Sequence, residues 1–286
     1  MISKNNANTT NYTLNCNGKL IVVDKPIVMG IINITNNSFY LKSSLTNIEA
    51  IVLKATQMVT EGATILDLGA QSTQPNSEPI TWQQEWEALQ LPLQVIRKQF
   101  ANVLISVDTY YSQVANNAVA AGADIINDIS GGQLDNNMIT TVGKLNVPYI
   151  CTHIQGTPNT MQVNPTYNDV VIDVLDYFIA KKFECEAAGI KDIIFDVGFG
   201  FGKSIEHNYT LLNNLETFTN VVQKPLLVGL SRKSMIYKVL QTTAAEALNG
   251  TTVLHTLALA NGAAILRVHD VKEAVEAITL MQQVLP

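Results

Sequence analysis

Eight short apolar runs recur along this chain, separated by longer stretches of helical periodicity, and that alternation limits the possible folds more than any other feature. The runs are Ile27–Thr35, Thr64–Gly69, Val103–Asp108, Ile125–Ile129, Pro148–His153, Ile193–Val197, Leu226–Leu230 and Ala264–Val268. Their apolar stretches are nearly continuous, as strands covered on both faces of a parallel sheet require. Helical patterns follow at 47–61, 82–99, 111–121, 134–143, 168–188, 206–220, 234–260 and 271–283. Gly122, Gly189 and Gly262 stand where helices should stop. Eight strand–helix units in strict succession favour a closed (β/α)8 TIM barrel; an open doubly wound sheet rarely needs eight strands.

Length and composition agree with this expectation. The chain has 286 residues, 47% of them hydrophobic, and barrels of this kind need about 250. No Pro-, Gly- or Ser-rich linker divides it, so residues 12–286 are expected to form one domain behind a flexible segment 1–11. Residues 12–24 alternate loosely around Asn17-Gly18 and predict a hairpin closing the N-terminal end of the barrel.

Charge and cysteine usage exclude several classes. A formal charge of −6 with scattered basic residues argues against nucleic-acid binding. No apolar run is long enough to span a membrane. Residues 1–11 lack the apolar stretch of a signal peptide. Three cysteines without a C-x-x-C pair favour a reducing, cytoplasmic setting. The small and apolar residues late in 234–260 suit either core packing or a homodimer interface.

Polar residues recur where the strands end: Asn33, Asp67, Asp108, Asn127-Asp128, His153, Asp196 and Arg267–His269. Asn33 and Arg267 lie 234 residues apart across seven steps, about 33 per step, the length of one βα unit. A barrel gathers its C-terminal strand ends at one mouth, so these residues should meet there. Stranding so many polar groups without partners would cost about 1–3 kcal/mol each. A ligand site explains the set better than structural bracing does.

Three motifs sharpen this. Asp196–Ser204, DVGFGFGKS, ends a strand in three alternate glycines and a lysine, which lets backbone approach a ligand closely. It is neither a Walker loop nor a dinucleotide fingerprint. Gly229–Ser234, GLSRKS, and Arg267–Asp270, RVHD, end the last two strands, where this fold commonly builds an anion site. Ser231, Arg232, Lys233, Arg267 and His269 are therefore candidates for a phosphate or diphosphate subsite, with surface ion pairing the alternative for Arg232 and Lys233. The long polar loops after Asn33 and Asp67 could cover the mouth, and His153 could contact an anion or brace its floor. His207 reads as a surface residue, His255 as a packing residue, and the histidines show no structural zinc pattern.

Taken together, MGIINIT, TILDLGA, ISVDT, IINDIS, HIQG, DVGFGFGKS, GLSRKS and RVHDVKE, in that order from about Lys19 onward, resemble the dihydropteroate synthases of the pterin-binding family. The resemblance implies condensation of 6-hydroxymethyl-7,8-dihydropterin diphosphate with 4-aminobenzoate to give 7,8-dihydropteroate and diphosphate. It implies that Asp108, Asn127, Asp196 and Lys233 hold the pterin, with Thr73 and Ser234 also binding substrate. Asn33, Asp67, Arg267 and His269 would border the diphosphate, Asn33 holding Mg2+ or its hydration shell. Asn37, Asp67, Lys233 and Arg267 would be the catalytic set, and bond cleavage at the pterin methylene would resemble an SN1 process.

Two loops depart from the family pattern. Asn37 replaces the usual aspartate after Asn36, and Gln71-Ser72-Thr73-Gln74-Pro75 replaces the usual Glu-Ser-Thr-Arg-Pro. Gln74 cannot act as a cationic clamp. Weakened turnover is one expectation; a non-catalytic or divergent pterin-binding paralogue is another. A methyltetrahydrofolate-binding methyltransferase component is a third, although this chain carries no cobalamin module.

Overall fold

The computed structural model describes residues 11–34, 45–71 and 79–284. The hairpin comes first, β1 (Tyr12–Cys16) and β2 (Lys19–Val23), antiparallel with Cys16 opposite Lys19. Asn17 and Gly18 both take positive φ, 51° and 85°, as a tight two-residue turn requires. The barrel follows with β3 (Ile27–Asn33), α1 (Leu45–Thr60), β4 (Ile65–Gly69), α2 (Trp82–Gln99), β5 (Leu104–Asp108), α3 (Ser112–Ala120) and β6 (Ile125–Asp128). It continues with α4 (Met138–Leu145), β7 (Tyr149–Thr152), α5 (Val170–Ala187), β8 (Ile193–Asp196), α6 (Ile205–Asn213), α7 (Leu215–Val222) and β9 (Leu226–Val228). It ends with α8 (Ser234–Tyr237), α9 (Leu248–Ala260), β10 (Ile265–Val268) and α10 (Val271–Val284).

Strands β3 to β10 are parallel and close on themselves, β10 pairing with both β9 and β3. The expected TIM barrel with an N-terminal hairpin is therefore the observed architecture. Each of the eight anticipated strands is present within two residues of its expected ends. Two expected helices are each divided. The 206–220 pattern breaks at Asn214, which leaves the helical region (φ −113°, ψ 17°) while its side-chain amide donates back to Thr210 O at 2.8 Å. The 234–260 pattern stops after one turn, because Gln241 turns left-handed (φ 53°) and the Thr242 and Thr243 hydroxyls donate to Glu246.

Two apolar layers hold the barrel. Helices pack on the outer strand faces through residues such as Leu89, Leu93, Val114, Phe178, Phe195 and Phe218, all fully buried. The lower interior is filled by Met29, Ile65, Leu104, Ile125, Ile150, Ile194, Leu227 and Ile265, one from every strand, against Leu14, Cys16 and Val23 of the hairpin. The hairpin is thus a plug. It is tied by the Asn15 N–H to Asp192 Oδ2 at 2.8 Å and by Lys19 Nζ to Ala101 O at 2.9 Å.

Candidate active site

The period of two along a strand turns the apolar floor into a polar platform above it. Two residues beyond each inward-facing floor position stand Ile31, Asp67, Ser106, Asn127, Thr152, Asp196, Gly229 and Arg267. Five of these carry buried polar side chains: Asp67, Ser106, Asn127, Thr152 and Asp196 are each at most 5% exposed. Side chains remote in sequence are thereby stacked over one apolar plug.

Arg267 is the hub. Its Nε donates to Asp67 Oδ2 at 2.7 Å and its Nη2 to Asp108 Oδ2 at 2.6 Å, joining β10 to β4 and β5. Asn127 Nδ2 donates to the same Asp67 oxygen at 3.2 Å. Burial opposes the charge on Arg267, but Asp67 and Asp108 outweigh it and raise its pKa. Asp108 moves in the other direction from an ordinary carboxylate: burial pushes it up to about 7 against the pull of Arg267. Asp67 Oδ1 and Ser106 Oγ are buried without a hydrogen-bond partner from the protein.

A second cluster adjoins this hub. Burial raises the Asp196 carboxyl, opposed chiefly by Lys233, and Asp196 Oδ1 accepts from the Gly198 N–H at 2.8 Å. Lys233 Nζ donates to Phe199 O and lies 4.6 Å from the centre of the Phe201 ring. Burial lowers its pKa to about 8, with Asp196 pulling the other way. Gly229 has no side chain to fill the gap here; a Cβ there would lie 3.5 Å from Asp196 Oδ2 and 3.9 Å from Arg267 Cβ. Ser234 follows Lys233 as the first residue of α8.

At the rim, the Ser231 hydroxyl is 3.0 Å from His269 Nδ1 and accepts the His269 backbone N–H at 3.2 Å. Burial and then Arg267 lower His269 to about 4, so the ring is neutral at pH 7. A Ser231 hydroxyl that donates to Nδ1 leaves the ring N–H on Nε2. Arg232 is not free to join them, because both its Nε and Nη2 are bonded to Asp270. An ion pair does hold Arg232, as the alternative reading had it, but a partly buried one and not a surface contact.

Other expectations resolve into bracing. Asp128 accepts from the Ser130 N–H and hydroxyl, the Gly132 N–H and the Tyr149 hydroxyl, all within 2.8 Å. His153 pairs through Nδ1 with Lys203 Nζ at 2.9 Å, and burial lowers it to about 2, so it braces the floor as a neutral ring. His207 closes the capping box of α6 with Ser204. The glycine loop serves its own chain before any ligand. A Cβ on Gly198 would lie 2.0 Å from His153 O, and one on Gly202 would lie 2.5 Å from Gln155 O.

The expectation of Mg2+ at Asn33 is corrected. Mg2+ favours several hard oxygen ligands in octahedral array. Among the described residues no group of three or more His, Cys, Asp or Glu could hold a metal ion. Asn33 is exposed at the end of β3 and offers one neutral amide oxygen, while Asp67 and Asp108 are engaged by Arg267. Asn37, Thr73 and Gln74 lie outside the described residues.

Two buried ionisable groups were not anticipated. Lys203 is 3% exposed and donates to His153 O and Phe201 O; burial lowers it to about 7. Glu85 on α2 is fully buried, accepts from Gln71 Nε2 at 3.0 Å, and is pushed by burial up to about 7. Lys203 stands within a motif noticed for its glycines. Glu85 lies at the root of the second polar loop, three residues after Trp82, on a helix whose pattern marks only its apolar face.

The comparisons with known proteins agree with this geometry. Residues 29–269 match the family profile described as "Pterin binding enzyme". Dihydropteroate synthase of Haemophilus influenzae is 40% identical over 271 residues, spanning 94% of this chain and 98% of that protein. Among solved structures, the Xanthomonas albilineans dihydropteroate synthase with 4-aminobenzoic acid superposes with a TM-score of 0.88 at 35% identity, covering 96% of this chain and 98% of that one. The same enzyme in complex with 7,8-dihydropteroate gives 0.83 at 33% identity, covering 95% and 98%. The chain belongs to the pterin-binding enzyme family.

Proposed function

We propose that this protein is a dihydropteroate synthase, condensing 6-hydroxymethyl-7,8-dihydropterin diphosphate with 4-aminobenzoate to give 7,8-dihydropteroate and diphosphate. The observation that carries this reading is the Arg267 hub, which binds carboxylates 200 and 159 residues away at one mouth beside Asp196 and Lys233. The Haemophilus influenzae dihydropteroate synthase, and the Xanthomonas albilineans structures holding 4-aminobenzoic acid and 7,8-dihydropteroate, match over nearly their whole length.

The reaction breaks the bond between the pterin methylene carbon and the diphosphate oxygen, which leaves with both electrons. The arylamine nitrogen then forms the new carbon–nitrogen bond and gives up a proton. Asp108, Asn127, Asp196 and Lys233 present buried or partly buried acceptors and donors to the nitrogen-rich ring, and a site so built rejects analogues that leave those groups unpaired. Arg267 and the Nε2–H of neutral His269 stabilise charge developing on the departing diphosphate. We assign Asn33 and Asp67 to that region and Ser234 to the second substrate, a role that the resemblance also implies for Thr73. No protein nucleophile is needed, and Cys151 is not one: burial raises its thiol well above the ordinary range.

We place this activity in the cytoplasm. The three cysteines are free and buried, as suits a reducing compartment. Among the described residues no helix is long and apolar enough to cross a membrane. The homodimer belongs to the same proposal: α9 leaves Val253 and Leu257 about half exposed, and sedimentation velocity tests it.

Calorimetry with the pterin diphosphate, followed by a diphosphate-release assay with 4-aminobenzoate, tests the function. Binding with release is expected; binding without release carries the non-catalytic reading instead. The paired substitution Asn37→Asp with Gln74→Arg should raise turnover about tenfold, ~1.4 kcal/mol of barrier. A folded double variant with unchanged turnover would show that the two loops do not limit the rate.

A further inference from the structure

Behind the rim, the loop after β9 and the end of β10 are joined by two successive rungs. The first is Ser231 with His269. The second, one residue further along each segment, is Arg232 with Asp270: Nε donates to Asp270 Oδ2 at 2.8 Å and Nη2 to Oδ1 at 2.9 Å. Arg232 does more than pair. Its Nη1 donates to Ala244 O and Ala245 O, and its backbone N–H donates to the hydroxyl of Thr251, buried on α9, at 3.0 Å. It holds a left-handed backbone, φ 55°, a conformation uncommon for any residue but glycine. One side chain thus ties together the loop bearing Ser231 and Lys233, the segment before α9, and the residue directly following His269.

We propose that Arg232 and Asp270 are positioning residues for the diphosphate subsite, fixing where the Ser231–His269 pair stands and balancing the charge it experiences. The inference rests on the reading of Arg267 and His269 as that subsite. Two physical consequences follow from the geometry. The forked, two-bond pairing fixes orientation as well as distance, which a lysine ammonium cannot reproduce. The pairing also neutralises Asp270 next to the anion's position, so Asp270 adds no uncompensated negative charge where the tail approaches Arg267. The charged groups acting on His269 are Arg267 on its own strand, Asp270 after it, and Arg232 and Lys233 from the loop after β9. Asp270 favours a charged ring, and the three cations oppose it.

The two partners therefore act on His269 with opposite sign, which a merely structural contact would not do. In side-chain NMR of histidine-labelled protein, Arg232→Gln should raise the His269 midpoint above its value of about 4. Asp270→Asn should leave it no higher than in the parent protein. Arg232→Lys keeps the charge and loses the fork, so its midpoint should stay near the parent value. All three variants should raise KM for the pterin diphosphate about tenfold while leaving KM for 4-aminobenzoate within about twofold. Calorimetry with inorganic diphosphate should show the same loss. A rise of the His269 midpoint in both Arg232→Gln and Asp270→Asn, towards an ordinary imidazole, would mean that the loop simply opened and would overturn the proposal. Equal changes in both KM values would do the same. If the parent protein binds no inorganic diphosphate, the subsite reading falls, whereas the opposite-sign titration still reports the coupling itself.

Discussion

Replacing Arg267 by glutamine should destabilise the protein by an amount that grows with pH. Arg267 is 18% exposed and stands between Asp67, fully buried, and Asp108, 14% exposed. Removing the cation leaves two carboxylates facing one another in a site largely closed to water. Losing one partner of a buried ion pair costs about 3–5 kcal/mol, which for a domain of this size lowers Tm by roughly 10 °C. Asp108 sets the pH dependence. Its folded-state value of about 7 lies above the ordinary 3.8, so folding favours its protonated form and its contribution falls as pH rises between those two values. Arg267 restrains that shift, and without it Asp108 rises further. The Tm gap between parent and variant should therefore be smaller near about pH 5, where only the lost Asp67 contact is felt, than at about pH 8. Circular dichroism melts at both values measure it. Adding Asp67→Asn to the variant should recover about 1–3 kcal/mol at the higher pH. A gap of equal size at both values, or no recovery in the double variant, would refute the electrostatic reasoning. In the same samples, inorganic diphosphate should no longer bind.

Other substitutions separate causes that the sequence runs together. Glu85→Gln removes a buried carboxyl raised to about 7, so it should raise stability at about pH 8 by up to roughly 3 kcal/mol. Near about pH 5, where the parent acid is already protonated, it should change little, as urea midpoints at the two values would show. Gly198→Ala should abolish folding or cost more than about 4 kcal/mol, because its Cβ would meet His153 O at 2.0 Å. Gly200→Ala, with a similar positive φ of 80° but only Lys233 Cδ at 3.5 Å, should cost about 1–3 kcal/mol. Equal losses in the two alanine variants would show that backbone strain, not contact, governs the loop.

The barrel was legible because its signal is repeated. Each strand contributes a floor residue such as Ile65, Leu104 or Ile194, and two positions later Asp67, Ser106 or Asp196 marks the platform. That offset recurs around the ring and can be read without knowing any contact. Single events were harder to read. Asn214 divides a helix through one side-chain bond to Thr210, and nothing periodic announces it. Glu85 has no repeated partner, and its burial depends on Gln71 arriving from a different element. Arg232 and Arg267 both stand beside strand ends, and the sequence offered an ion pair as the alternative for Arg232 without naming its partner. Their partners decide their roles: Asp270 retains the first at the rim, and Asp67 and Asp108 draw the second to the centre. The Mg2+ expectation failed for a different reason: it came from the resemblance alone and rested on Asn33, an exposed neutral amide with no cluster of ligating side chains beside it among the described residues.

The plug beneath the barrel has a consequence for how the chain reaches this state. Residues 12–23 are synthesised before any barrel strand, yet Leu14, Cys16 and Val23 find cover only against a floor that includes Leu227 and Ile265. The first segment made must therefore wait for the last strand, and a contact spanning most of the chain slows folding. Until β10 closes the ring, greasy surface at both chain ends stays open to water and to other nascent chains. Deleting the hairpin would leave the mouth's chemistry spelled out in full while exposing the barrel's interior from below. Such a truncation should appear first as lost yield of folded protein, before any change in the reaction.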